Sequence, residues 1–167
     1  MPNIFKVVWI ELSPGPLKMP PLIVDINIFL FICLAVQYEG YCSPYLSSTQ
    51  TFELKNTSGR IMSPNYPNYY PTNIECIWKI SVRDGKRVKF SMEDLNLKWT
   101  TGCYKDFVEV RDGYYYYSSV LKTYCGLSKG SAIFSTDHYM WIKFKSDYST
   151  VYSRGFKAKF YEADKSG

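Results

Sequence analysis

Between residues 76 and 160 apolar and polar side chains alternate in short runs. In Cys76-Ile77-Trp78-Lys79-Ile80-Ser81-Val82, the residues Cys76, Trp78, Ile80 and Val82 share one side of an extended chain. Val88, Phe90 and Met92 oppose Lys89 and Ser91. Met140, Ile142 and Phe144 oppose Trp141, Lys143 and Lys145. Phe156, Ala158 and Phe160 oppose Lys157 and Lys159. A period of two sends successive side chains to opposite faces of a strand, so each run predicts one buried and one wet face. Trp141 is expected to point outward, with Lys143, Lys145, Lys157 and Lys159. Asp84-Gly85 separates two runs and is the strongest short signal for a hairpin. The run Tyr114-Tyr115-Tyr116-Tyr117 follows Asp112-Gly113 and is expected to start at a loop tip. There is no amphipathic helical pattern of convincing length and no internal repeat. Short strands broken by Gly, Pro and Asn-rich turns predict an all-β fold, a two-sheet antiparallel sandwich.

Composition agrees with this pattern. Aromatic residues make up 18% of the chain, 16 of them Tyr. Flat rings suit a pleated, half-buried surface. A length of 167 residues allows one domain with a core plus an extension.

The N-terminal stretch breaks the alternation. Residues 26–36 read INIFLFICLAV, an uncharged apolar run downstream of Lys18. Ala35 and Cys33 supply small residues at the cleavage positions, so residues 1–35 read as a leader with a secretory signal peptide, with Met19 as an alternative start. The run falls short of the roughly 20 apolar residues a membrane span needs, so no span is expected after cleavage. An uncleaved signal anchor is the alternative. Residues 36–50, rich in Ser, Pro and Thr, read as a flexible lead-in, 51–163 as the domain, and 164–167 as a tail. The expected location is secreted, outside the cell.

Secretion changes the reading of the cysteines. Of the 5 in the chain, Cys33 falls in the leader. Cys42, Cys76, Cys103 and Cys125 remain, an even set that suggests disulfides with three pairings open. Asn56-Thr57-Ser58 is a glycosylation sequon for a secreted chain. The formal net charge of +5 comes from scattered residues, which excludes a nucleic-acid binder. If their strands are neighbours, Lys143, Lys145, Lys157 and Lys159 would form a basic stripe for a sulphated glycan. The alternative is a solvated strand face that resists edge pairing.

Catalysis finds little to work with. His138, beside Asp137 and Ser135, is the single histidine. A helical H-E-x-x-H zinc site needs two. A nucleophile–base set needs converging groups, and neighbours on one strand alternate between faces.

One ordered set of residues adds a family. It runs from Ser63-Pro64-Asn65-Tyr66-Pro67 and Tyr70-Pro71 through Cys76-Ile77-Trp78 to Cys103-Tyr104-Lys105-Asp106. It continues with Tyr124-Cys125-Gly126, Phe144-Lys145-Ser146-Asp147 and Arg154-Gly155-Phe156. Over residues 51–162 this order resembles the CUB domain, an extracellular jelly-roll-like sandwich that binds partners and catalyses nothing. The run 106–113, Asp106-Phe107-Val108-Glu109-Val110-Arg111-Asp112-Gly113, is most similar to CUB modules of tolloid-type (astacin-family) procollagen proteinases.

The resemblance implies pairing of Cys42 with Cys76 and of Cys103 with Cys125. Cys42 stands further upstream of Ser63 than the family pattern has it, so a free or interchain Cys42 is the alternative. The resemblance also implies one calcium ion, held by three acids with a tyrosine nearby. Asp106, Asp147 and Tyr70 match. Lys98 stands where the family has its first Glu, and the alternative is an ion pair of Lys98 with Asp106 and Asp147 in place of metal. In the family such acids receive a lysine of a partner protein, which makes Asp106, Asp147 and Tyr70 the candidate partner site.

The resemblance leads first to a secreted, non-enzymatic module that binds extracellular proteins. The alternatives are a non-catalytic fragment of a tolloid-like zinc metalloprotease that positions substrate, and a single-CUB, lectin-like or spermadhesin-like protein.

Overall fold

The computed structural model describes residues 40–127, 129–149 and 152–165. The leader, with Cys33 and Met19, lies outside the described residues. Among the described residues nine strands follow in chain order: β1 (Thr49–Leu54), β2 (Ser58–Met62), β3 (Glu75–Ser81), β4 (Lys86–Asn96), β5 (Phe107–Asp112), β6 (Ser119–Tyr124), β7 (Ile133–Phe134), β8 (Tyr139–Lys145) and β9 (Gly155–Asp164). One sheet has the order β1-β3-β8-β5-β6 and the other β2-β9-β4-β7. Every pairing is antiparallel except β1 with β3, which is parallel.

The alternating runs become the strands, and their apolar faces meet between the sheets. Trp78 of β3 and Phe144 of β8 both pack on Phe156 of β9, with ring centroids 5.9 and 5.5 Å apart. Phe90, Val88, Ile80, Ile142 and Phe160 close the same core. Burying each such side chain contributes about 1.5–3 kcal/mol. Of the two disulfides, Cys42–Cys76 lies in this core with Cα atoms 6.0 Å apart, and Cys103–Cys125 joins two loops at one end with Cα atoms 5.6 Å apart.

Four expectations change. Asp84-Gly85 does form a turn, with Gly85 at φ 80°, but it closes no hairpin. Both edges of β3 are already paired, with β1 and β8, so the chain crosses to β4 in the other sheet. Trp141 does sit on the outer face, yet only 3% of it is exposed. The Arg111 guanidinium and the Lys143 ammonium each lie 5.7 Å from its ring and shut out water.

The four lysines form no stripe. Lys143 and Lys145 belong to β8 and Lys157 and Lys159 to β9, which lie in different sheets and on opposite outer faces. Lys157 and Lys159 instead reach Glu93 at 3.8 and 3.2 Å.

The expected lead-in is built into the domain. Cys42 is fully buried in its disulfide. The Trp78 indole N–H donates to the Gly40 carbonyl at 2.7 Å, and the Gln50 amide donates to the carbonyls of Ser43 and Ser47. Thr49 already belongs to β1. At the other end β9 runs through Asp164, and Lys165 meets Asp137 at 2.9 Å.

Candidate functional site

The strand directions gather the loops at two ends of the sandwich. The starts of β3 and β5 and the end of β8 lie together, since Glu75 and Phe107 both pair with Lys145. In the other sheet Asn96, at the end of β4, pairs with Gly155, at the start of β9. Loop segments 63–74, 97–106, 125–127, 129–132, 146–149 and 152–154 therefore share one end. Tyr70, Lys98, Asp106 and Asp147 come from three of them.

Tyr70 is the buried post of this end. Its ring packs edge-on against Phe144 at 5.4 Å. Its hydroxyl donates to Asp106 Oδ2 at 2.7 Å and accepts from the Lys98 amide at 3.1 Å. Burial raises the phenol well above its ordinary range; the Lys98 amide works against this and the Asp106 carboxylate reinforces it. Asp106 has no exposure, and its Oδ1 accepts the Asp147 amide at 2.8 Å. One carboxylate thus ties the tyrosine loop to the loop of Asp147.

Asp147 faces cations. Lys98 Nζ lies 3.3 and 3.4 Å from its two oxygens, and Lys105 Nζ lies 3.8 Å away. Ser149 donates to Oδ1 from its amide at 3.0 Å and its hydroxyl at 2.6 Å, and Lys98 also bonds the Ser149 hydroxyl. Burial opposes the charged form of Asp147, but the Ser149 and Lys98 contacts outweigh it and hold the carboxyl below its ordinary range. Lys98 pairs with Asp147 and not with Asp106, whose oxygens are taken by Tyr70 and the Asp147 amide.

A Ca²⁺ ion needs about six to eight oxygen ligands, with carboxylates balancing its charge. Here an ammonium stands beside the two acids, and one acid is spent on a phenol and an amide. Among the described residues no three acidic, His or Cys side chains gather as a metal set. The residues present do not fit calcium.

Large side chains stand in water around this core of polar contacts. Trp99, Tyr104, Leu127 and Tyr148 are 69, 68, 72 and 78% exposed. Tyr69 and Tyr152 are also exposed and meet edge to face at 5.6 Å. Sequence reasoning missed all six, and also Lys105 and Ser149. The legible signal was aromatics in loops, outside any alternating run.

His138 lies at the other end, where its Nε2 meets Asp84 at 3.2 Å and its Nδ1 meets Asp137 at 3.0 Å. The Ser135 hydroxyl is committed to backbone, accepting the Val88 amide and donating to the Asp137 carbonyl. No nucleophile faces the imidazole among the described residues. Asn56 is exposed between β1 and β2.

The profile of the CUB domain matches residues 49–160. The chain belongs to the CUB domain family. Mouse (Mus musculus) Tolloid-like protein 1 is 39% identical over 110 residues, which cover 66% of this chain and 11% of that protein. This CUB chain thus spans about a tenth of the length of that relative. The full extracellular region of zebrafish Gpr126/Adgrg6 is similar at a TM-score of 0.62 and 32% identity, covering 69% of this chain and 15% of that one. The MASP-1 CUB2 domain bound to Ca²⁺ is similar at a TM-score of 0.57 and 26% identity, covering 65% of this chain and 96% of that one. Among the described residues no helix is long and apolar enough to cross a membrane.

Proposed function

We propose that this CUB domain works outside the cell as a non-enzymatic module, and that the loops around Asp147 hold a protein partner. One observation carries the reading: Tyr69, Trp99, Tyr104, Leu127, Tyr148 and Tyr152 are exposed on the loops of one end. Solvent-exposed aromatics gathered in one place mark interaction surfaces, and Trp and Tyr supply most binding energy where proteins meet. The likeness to an extracellular region supports the location, as does the reading of residues 1–35 as a signal peptide. Asn56 then carries an N-glycan at the opposite end, clear of the binding loops.

The partner site includes Asp147 less as a receiver of a partner lysine than as the anchor of these loops, because Lys98 and Lys105 already face it. The sulphated-glycan reading loses its main support with the broken lysine stripe. A second reading follows from the likeness to Tolloid-like protein 1. In a longer chain the same loops would position substrate for a protease domain.

A photo-crosslinking amino acid at Tyr148, with the same probe at Asn56 as control, tests the proposal in the secreted protein. Exposed to matrix and serum proteins, the Tyr148 probe is expected to give a discrete protein adduct. Trp99→Ala together with Tyr104→Ala should reduce that adduct at least about tenfold, a loss of about 1.4 kcal/mol. Adducts only from position 56, or retention on heparin without any protein adduct, would overturn it.

A further inference from the structure

The acid end contains a charge that its own chemistry would not otherwise tolerate. Asp106 is fully buried and Asp147 nearly so, with 12% of its side chain exposed, and the Asp147 amide donates to Asp106. Burial disfavours a charged carboxylate unless donors or a cation stand with it. Lys98 supplies that cation from the last residues of the β4 side, spanning Asp147 and Ser149. The same residue fastens its loop to Tyr70 through its backbone amide at 3.1 Å.

We propose that the Lys98 ammonium is a built-in replacement for a metal ion, so that this end of the domain is ordered without calcium. The chemistry is a substitution of one positive centre for another. A divalent cation joins loops by collecting carboxylates from each. A lysine does so covalently from one loop and by charge-assisted hydrogen bonds to another. Its tether removes any dependence on a free ion. Lys105, at 3.8 Å, adds a second positive charge against which a divalent cation would have to bind. The inference concerns regulation of the end proposed above as the binding site: partner capture there is insensitive to calcium. Its test reads stability and metal binding, so its failure is separate from failure of the partner reading.

The test compares the purified full chain with Lys98→Glu and Lys98→Met, by thermal unfolding and calorimetric titration, with excess EDTA and with millimolar CaCl₂. The wild-type protein should unfold at the same temperature in both and release no binding heat. Lys98→Glu should unfold lower in EDTA and regain roughly 5 °C or more with CaCl₂, with a measurable binding heat. Lys98→Met should be less stable than wild type in both. Calcium heat or a calcium-dependent Tm in the wild-type protein would overturn the proposal. So would a Lys98→Met variant as stable as wild type, or a folded Lys98→Glu variant that ignores calcium. If Lys98→Glu fails to fold even with calcium, the proposal is likewise overturned, because the restored acid should then have recruited the ion.

Discussion

Tyr124 shows how one side chain can work against the fold it belongs to. Its ring packs beside Phe90 at 6.3 Å, and burial pushes the phenol up to about 12. The hydroxyl itself meets no hydrogen-bond partner among the described residues. A buried donor left unsatisfied costs about 1–3 kcal/mol. Tyr124→Phe should therefore raise stability by about 1 kcal/mol, read as a higher urea midpoint at unchanged m-value. A lower midpoint would mean that the hydroxyl is satisfied. Gly155 is the opposite case. Its φ of 89° disfavours any Cβ, and a Cβ there would lie 1.8 Å from Ser63 Oγ. That oxygen cannot simply turn away, because it accepts the Phe156 amide at 3.0 Å. Gly155→Ala should cost about 2 kcal/mol or more, combining the left-handed backbone with the clash. The same urea series measures it, and a loss below about 0.5 kcal/mol would contradict the account.

At the scale of elements, legibility followed locality. β3, β8 and β9 were visible because alternation is a property of neighbouring residues, and their inward sets Trp78, Ile142 and Phe156 are buried as the pattern requires. The crossing at Asp84-Gly85 was not visible, since a turn signal says that the chain bends and not which strand its neighbours already hold. The low exposure of Trp141 is illegible for a related reason: Arg111 arrives from β5, 30 residues earlier in the chain, and nothing local announces it. Lys98 was legible as a departure from a family pattern, but its choice of Asp147 over Asp106 depended on how Tyr70 folds inward. β1 is the least legible strand, because its first two residues end a stretch rich in Ser, Pro and Thr. It is an edge strand in parallel register with β3, and the Cys42–Cys76 bridge leads into it. Replacing both cysteines by Ser should cost about 3–4 kcal/mol in the chain-entropy view for a separation of 34 residues. Amide exchange should then quicken most in Thr49–Leu54. Uniform quickening across all strands would show that the bridge acts on the whole sandwich and not on its edge.

Across the whole molecule both ends expose aromatics, since the loop after β5 presents Tyr115, Tyr116 and Tyr117, but what surrounds them differs. At one end they ring the buried Asp106 and its hydrogen-bonded neighbour Asp147. The other is laced by ion pairs: Arg83 pairs with Glu162, Lys86 with Asp164 and Lys165 with Asp137, which His138 also hydrogen-bonds. Several carboxyls away from the Asp147 loops are held below their ordinary range. Hydrogen bonding from Tyr114 does this for Glu53, Lys165 and then His138 for Asp137, and Arg83 for Glu162. Burial opposes the effect at Glu93, and Lys159 with Lys157 and Arg60 overcomes it. A carboxyl whose folded pKa is depressed stabilises the fold above its unfolded value, about 3.9 for Asp and 4.3 for Glu, and loses that stability as pH falls through the folded value. Solvent screens most of these pairs, so each contributes little alone. Their sum has one sign, because the unfolded chain binds more protons than the folded one throughout the window. The urea midpoint should therefore stay nearly level from pH 7 to about pH 5 and fall steadily from about pH 4 downward. Salt at about 1 M should flatten that fall, since the Debye length shrinks to about 3 Å and the charged end carries most of the effect. An acid profile as steep at high salt as at low salt would place the responsible protons in buried groups instead of in these surface pairs.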